Sequence, residues 1–293
     1  MNKTQSKINE ALAKIDEGLE QINTNEEWLH FLAFQSMFYN YSFGNTMLIY
    51  LQNPNASYVK GFKAWNSLGR YVKKGEKGIA ILAPCFKKVP KNNDTSNDDA
   101  NTSNDDGNAS SDEKVKVIGG FRISYVYDIQ STDGDDEMLP TLVKGLSGTS
   151  DEIESLFTLL RGEVENTYKV KDTIGTSEKG SYNLSTHEIS IRSDLDCFQR
   201  FKTLIHEYAH ALDFESHPWE EKDKRNQREL IAEGSSFVVC HALGLDTKDY
   251  SFPYLQAWLR EKDELKALAT TIQKIASKIL SLLIVEEASP SYV

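Results

Sequence analysis

The sequence predicts an α+β protein of two domains, and three observations carry that reading. The chain has 293 residues, long enough for two ordinary hydrophobic cores. Its first half runs from amphipathic helices into two strands that flank a long polar insertion. Its second half centres on one helix whose polar residues fall at metal-ligand spacing.

The first element is an amphipathic helix over residues 4–23, where Ile8, Leu12, Ile15, Leu19 and Ile22 form one stripe. A second helix is expected over 25–39, with Trp28, Phe31, Leu32, Phe34 and Phe38 in the core. A third covers roughly 44–52 and stops at Asn53-Pro54, because the residue before proline is pushed out of the helical region. A short strand near 57–59, a helix near 62–68 and a turn at Lys74-Gly75 follow.

Residues 78–84 read as a strand whose hairpin partner lies in VKVIGGFRISYVYDIQST, residues 115–132. Between them, residues 91–114 hold seven acids, two lysines and no large apolar side chain. Such a segment cannot offset the entropy of ordering and is expected to be a disordered loop, an insertion and not a domain boundary. The first domain is therefore expected at 1–132, a linker at 133–149 and the second domain at 150–293.

In the second half a helix is expected over 150–162, then two strands in SYNLSTHEISIRSD. The second of these, 187–192, is expected to be an edge strand able to pair with an extended substrate, with His187 facing solvent. One or two closing helices after residue 250 bury Leu255, Trp258, Leu265, Leu268, Ile272, Ile275 and Leu282.

The chemistry sits on Phe198–Asp213, FQRFKTLIHEYAHALD. Phe201, Leu204, Ile205, Tyr208, Ala209 and Leu212 recur at helical spacing, which places His206, Glu207 and His210 on one helix as H-E-x-x-H. Imidazoles four residues apart share a face and can reach one zinc ion together. Glu207 is then placed to take a proton from water and not to bind the metal. A third ligand is expected from the segment 228–244. Glu229 and Glu233 are both candidates; Glu233 is preferred because Gly234, Ser235 and Ser236 would let the helices pack closely, and Glu229 is the alternative or an outer partner. The segment AEGSSF resembles those carrying the third ligand in gluzincin peptidases. Asp213 is a further outer candidate, and Tyr250 or Tyr254 are weak candidates for oxyanion stabilisation.

The net charge of −11 and pI near 5.1 look wrong for a nucleic-acid binder, but the acid is unevenly spread. Between Tyr58 and Lys88 eight cations face the single acid Glu76, and Tyr58, Phe62, Trp65, Tyr71 and Phe86 are interleaved. Single-strand binding uses cations for phosphates and aromatic faces for bases. On composition alone, a solvated basic turn beside core aromatics is the simpler reading, with Trp65 packed inside. Cys85, Cys197 and Cys240 are scattered and odd in number, as expected in a reducing compartment. No apolar run reaches signal-peptide or membrane-spanning length, so a cytoplasmic protein without membrane attachment is expected.

The segments YSFGNTMLIYLQNP, VKGFKAWNSLGRYVKKGEKGIAILAP and VIGGFRISYVYDIQST closely resemble the N-terminal single-stranded-DNA-binding domain of ArdC-type antirestriction proteins, over about residues 25–132. More loosely, 150–280 resembles the ArdC/IrrE-like metallopeptidase domain, with His206, Glu207, His210 and Glu233 at the motif positions. The resemblance implies an N-terminal strand-binding domain fused to a zincin of gluzincin type, with Zn2+ as cofactor. It also implies a mobile-element protein that protects incoming single-stranded DNA from restriction and cleaves an unidentified protein substrate. Carried over residue by residue, it implies strand contacts at Tyr41, Asn45, Arg70, Lys73, Lys74 and Lys77. Two rivals share these features: a DNA-shielding protein with a structural or regulatory zinc site, and a protease acting on DNA-bound proteins.

Overall fold

Short polar signals at their ends set the first helices. In the computed structural model, which describes residues 3–22, 24–90, 114–135, 139, 149–216, 225–248 and 262–284, helix α1 (Lys3–Glu20) buries Ala11, Ile15 and Leu19. Leu12 departs from the expected stripe and stays 44% exposed. Helix α2 (Asn25–Met37) starts at a capping box: the Thr24 hydroxyl accepts from Glu27 N and the Glu27 carboxylate accepts from Thr24 N. Helix α3 (Phe43–Gln52) is capped by Ser42 and ends at Asn53.

The sheet that follows is built on one long hairpin. Strand β1 (Val59–Gly61), helix α4 (Phe62–Ser67) and strand β2 (Arg70–Val72) precede strands β3 (Ile79–Pro90) and β4 (Lys114–Asp128). Strands β3 and β4 pair antiparallel with Ile79 opposite Val126, and a bulge falls at Cys85/Phe86. The sheet order is β1-β4-β3. Helix α3 closes the outer edge of β3 with side-chain amides in place of another strand. Asn45 donates to Leu82 O (3.0 Å) and accepts from Leu82 N (2.8 Å); Gln52 does the same for Ala80, at 2.9 Å each way.

Strand β5 (Thr132–Gly134) pairs with β2, so the start of the expected linker is ladder. Arg70 lies buried between these strands, 7% exposed, donating to Thr132 Oγ1, Thr132 O and Gly134 O. The insertion over 91–113, most of the expected linker, and Tyr250, Tyr254, Leu255 and Trp258 lie outside the described residues.

Helix α5 (Ser150–Glu165) leads into strands β6 (Lys169–Thr173), β7 (Gly180–Asn183) and β8 (Glu188–Arg192), ordered β6-β8-β7. The expectation that the strand before the metal helix is an edge is corrected. Strand β8 is central, parallel to β6 and antiparallel to β7, and its Ile189 and Ile191 are fully buried. His187 sits just before β8 with φ +52°, its Nδ1 2.8 Å from Tyr182 Oη.

Helices α6 (Cys197–Ser216), α7 (Arg225–Ala242) and α8 (Lys262–Leu283) complete the fold. One hydrophobic core joins them to the N-terminal helices, with Ile15, Leu19, Phe31, Leu32 and Met47 among Leu204, Ile205, Val238, Val239, Leu268 and Ile272. A smaller core under the first sheet gathers Phe34, Phe38, Ile49, Ala56, Val59, Ile79, Ile81 and Val126. Among the described residues, no helix is long and apolar enough to cross a membrane.

The edge closure gives a test. Asn45→Ala leaves the amide and carbonyl of Leu82 without protein partners in a half-buried place, and is expected to cost about 1–3 kcal/mol in urea unfolding. Gln52→Ala, at an exposed pair, should cost less.

Candidate metal centre

Helix α6 presents His206 and His210 on the side that meets α7, because its other faces are taken by Phe201, Leu204, Ile205, Ala209 and Leu212 in the core. The two Nε2 atoms are 3.1 Å apart. Glu229 Oε2 on α7 lies 3.5 Å from His206 Nε2 and 3.7 Å from His210 Nε2. Three ligands on one tetrahedral ion at 2.0–2.1 Å would stand about 3.3 Å apart, so this triangle has the size a zinc ion needs. Among the described residues, His206, His210 and Glu229 are the group able to hold a metal.

The side chain that meets both Nε2 atoms is thus Glu229 and not the expected Glu233. Glu233, one turn further along α7, lies behind the site: its Oε2 is 3.4 Å from His206 Nδ1 and its Oε1 3.4 Å from Lys202 Nζ. A carboxylate on the far nitrogen of a ligand histidine fixes the tautomer and raises its basicity. Gly234 also has another purpose than expected. A Cβ there would come within 2.5 Å of Ile272 Cδ1, so its missing side chain accommodates α8.

Glu207 is buried and faces a cleft of about 400 Å³ lined also by Glu178, Lys179, Gly180, Gln199, Lys202, Thr203, His206 and Glu233. Gly180 opens β7 and lies against this wall; a Cβ there would meet Thr203 Cγ2 at 2.4 Å and Glu207 Cγ at 3.0 Å. Burial pushes the Glu207 carboxyl pKa up, partly offset by His206 and His210. Burial works against a charge on His206, but hydrogen bonds that its ring donates to Glu229 and Glu233 outweigh it and raise its pKa to about 9. Those histidines hold the Glu229 carboxyl well below its ordinary value. Lys202 and Gly180 were missed in the sequence. Lys202 could have been noticed one turn before His206, but nothing local marks Gly180.

The expected strand contacts divide sharply. Tyr41 donates to Val59 O, and burial pushes its phenol pKa up to about 12. Asn45 closes the edge of β3, and Arg70 is buried in the β2–β5 ladder. These three side chains serve the fold. Lys73 is exposed but donates to Gln130 O (3.0 Å) and lies 3.6 Å from Asp133; Lys74 and Lys77 are exposed. Trp65 is fully buried, its Nε1 donating to Tyr127 O.

Comparison with known proteins agrees with the first half of the chain. An "Uncharacterized protein pXO2-81" of Bacillus anthracis is 26% identical over 93% of this chain, which spans about half (51%) of that relative's length. Crystal structures of the antirestriction ArdC protein from the R388 plasmid are similar too. The metal-free form has a TM-score of 0.48 and 20% identity, covering 83% of this chain and 85% of that one. The Mn(II)-bound form has a TM-score of 0.47 and 21% identity, covering 83% of each. Residues 2–127 match the family described as the N-terminal domain of anti-restriction factor ArdC.

Proposed function

We propose that this chain is an antirestriction factor that binds single-stranded DNA through its first half and carries a zinc-dependent peptidase centre in its second. The observation that carries the enzymatic reading is the triangle of His206 Nε2, His210 Nε2 and Glu229 Oε2 beside a buried Glu207. Two imidazoles and one carboxylate suit zinc and leave a fourth position open. A zinc ion held there would act as a Lewis acid and lower the pKa of a water toward about 7.

The protein's own groups do the rest. Glu207, made more basic by its burial, takes the proton of the water that attacks a peptide carbonyl and delivers it to the leaving amine. Glu233 holds His206 by Nδ1, so that Nε2 faces the triangle, and Lys202 in turn anchors Glu233. Edge strand β7 begins at Gly180, beside Glu207, where an extended peptide could pair with it.

Metal content of purified variants tests the ligand set. His206→Ala and Glu229→Ala should lose zinc. Glu233→Ala should keep it with an affinity lowered by roughly 10–100-fold, as for other outer partners of ligand histidines. The reverse result for the two glutamates would restore Glu233 as the third ligand.

Because the raised pKa of His206 lies near 9, metal-free protein carries a proton there at pH 7 that zinc must displace. Calorimetry in buffers of different ionisation enthalpy should show proton release, and zinc affinity should rise with pH until about 9. The same shift fixes the sign of a stability effect in metal-free protein. Stabilisation from the His206 charge is complete below pH about 6.5 and is lost as pH rises through about 9.

Glu207→Gln separates enzyme from shield. Glutamine cannot accept the water's proton, so the variant should retain zinc and lose proteolysis of a casein or cell-lysate substrate. Antirestriction that survives intact in cells carrying Glu207→Gln would favour the shielding reading.

A further inference from the structure

With Tyr41, Asn45 and Arg70 turned into the fold, the surface that a single strand would meet has to be found elsewhere. The sheet supplies one. Residues two apart on a strand project from the same face, so Tyr125 and Tyr127 on β4 stand side by side. The ladder sets Ala80 opposite Tyr125 and Lys60 opposite Tyr127. Gly78 leaves room for both rings: a Cβ there would lie 2.9 Å from Tyr125 Cβ and 3.1 Å from Tyr127 Cζ. Phe62, at the start of α4, extends the row, its ring centroid 6.3 Å from that of Tyr127.

The outer members of this row are not used by the core. Phe62 is 52% exposed and Tyr125 49%, whereas the packing beneath is done by Trp65, which is fully buried and meets Tyr58 edge-on. Cations border the row: Lys60 beside Tyr127, Lys63 next to Phe62, and Lys77 next to Gly78. Among the described residues none of the three lysines is ion-paired. The one acid in the neighbouring turn, Glu76, accepts a hydrogen bond from Ser131.

From this juxtaposition we infer that Phe62, Tyr127 and Tyr125 form a base-stacking strip for single-stranded DNA, with Lys60, Lys63 and Lys77 following its phosphates. The inference rests on the DNA-binding reading above and gives that reading a location. Open aromatic faces accept any base, so the strip fits a ligand of relaxed sequence preference, which suits protection of whatever strand enters a cell. A protein partner is the less suitable occupant, because isolated lysines around three rings complement a line of phosphates.

Fluorescence anisotropy of a labelled oligodeoxythymidylate with the full chain tests this at several salt concentrations. Phe62→Ala and Tyr125→Ala should each weaken binding by roughly five-fold or more while leaving the salt slope unchanged, since they remove stacking and no charge. Phe62→Tyr and Tyr125→Phe keep an aromatic face and should bind like the parent. Replacing Lys60, Lys63 and Lys77 together with alanine should flatten the log–log salt slope by roughly two units. Melting temperatures close to that of the parent would show that these exposed changes leave the fold intact; if the alanine variants melt lower, the aromatic exchanges and the salt slopes still decide. Parent binding that is indifferent to both alanine changes overturns the strip and leaves the DNA-binding reading standing. No binding by the parent overturns both. Tighter binding of the matching RNA oligonucleotide overturns the assignment to DNA.

Discussion

The candidate centre depends on the carboxylate of Glu229 reaching across from α7 to lie between two imidazoles of α6. Side chains alone could not hold that arrangement, because flexible polar groups at such spacing lose rotamer freedom when fixed. The two helices fix it instead. Phe201, Leu204, Ile205, Ala209 and Leu212 lock α6, while Leu230, Val238 and Val239 lock α7 in the same core. A donor triangle close to the size of a tetrahedral face then follows from helix placement, which makes the site preorganised.

Three carboxylates share this small region, and their surroundings separate their roles. Glu229, between two histidines, is held strongly ionised, as a ligand must be. Glu207, buried on the motif helix and facing the cleft, is pushed toward higher pKa, as a general base needs. Glu233 reaches His206 from the opposite nitrogen and shares its charge with Lys202. On the proposed reading, residues of one type thus divide into ligand, base and support through burial and neighbours alone.

The same contrast explains what could be read from the sequence. H-E-x-x-H was legible because the helical period fixes which residues share a face, whatever surrounds them. The choice between Glu229 and Glu233 was not, because four-residue spacing puts both on one face and only the position of α7 against α6 selects between them. Asn45 and Arg70 were misread for a different reason. The family resemblance carried the residues over without their partners, and a side chain that satisfies buried backbone groups is as polar as one that meets a ligand. Strand β6 went unseen because KVKDT reads as solvated polar sequence; its Lys169 and Lys171 both pair with Glu188 on the neighbouring strand.

The boundary between the halves was also read as sharper than it is. Helix α2 sends Phe31 and Leu32 into the large core and Phe34 into the core under the first sheet. Its Gln35 donates to Ala269 O on α8, and Ser36 Oγ lies 2.9 Å from His241 Nδ1 on α7. Gln273 of α8 returns the connection, donating to Phe38 O and Tyr41 O just past the end of α2. These are buried or half-buried polar links between elements more than 200 residues apart in the chain, and they tie the two halves together. The helix that supports the sheet of the aromatic strip therefore also packs on α7, which carries Glu229 and Glu233. On the proposed reading, a strand held on that sheet and a substrate held in the cleft would be bound by one body, so the fold and not a flexible tether would set the distance and orientation between them.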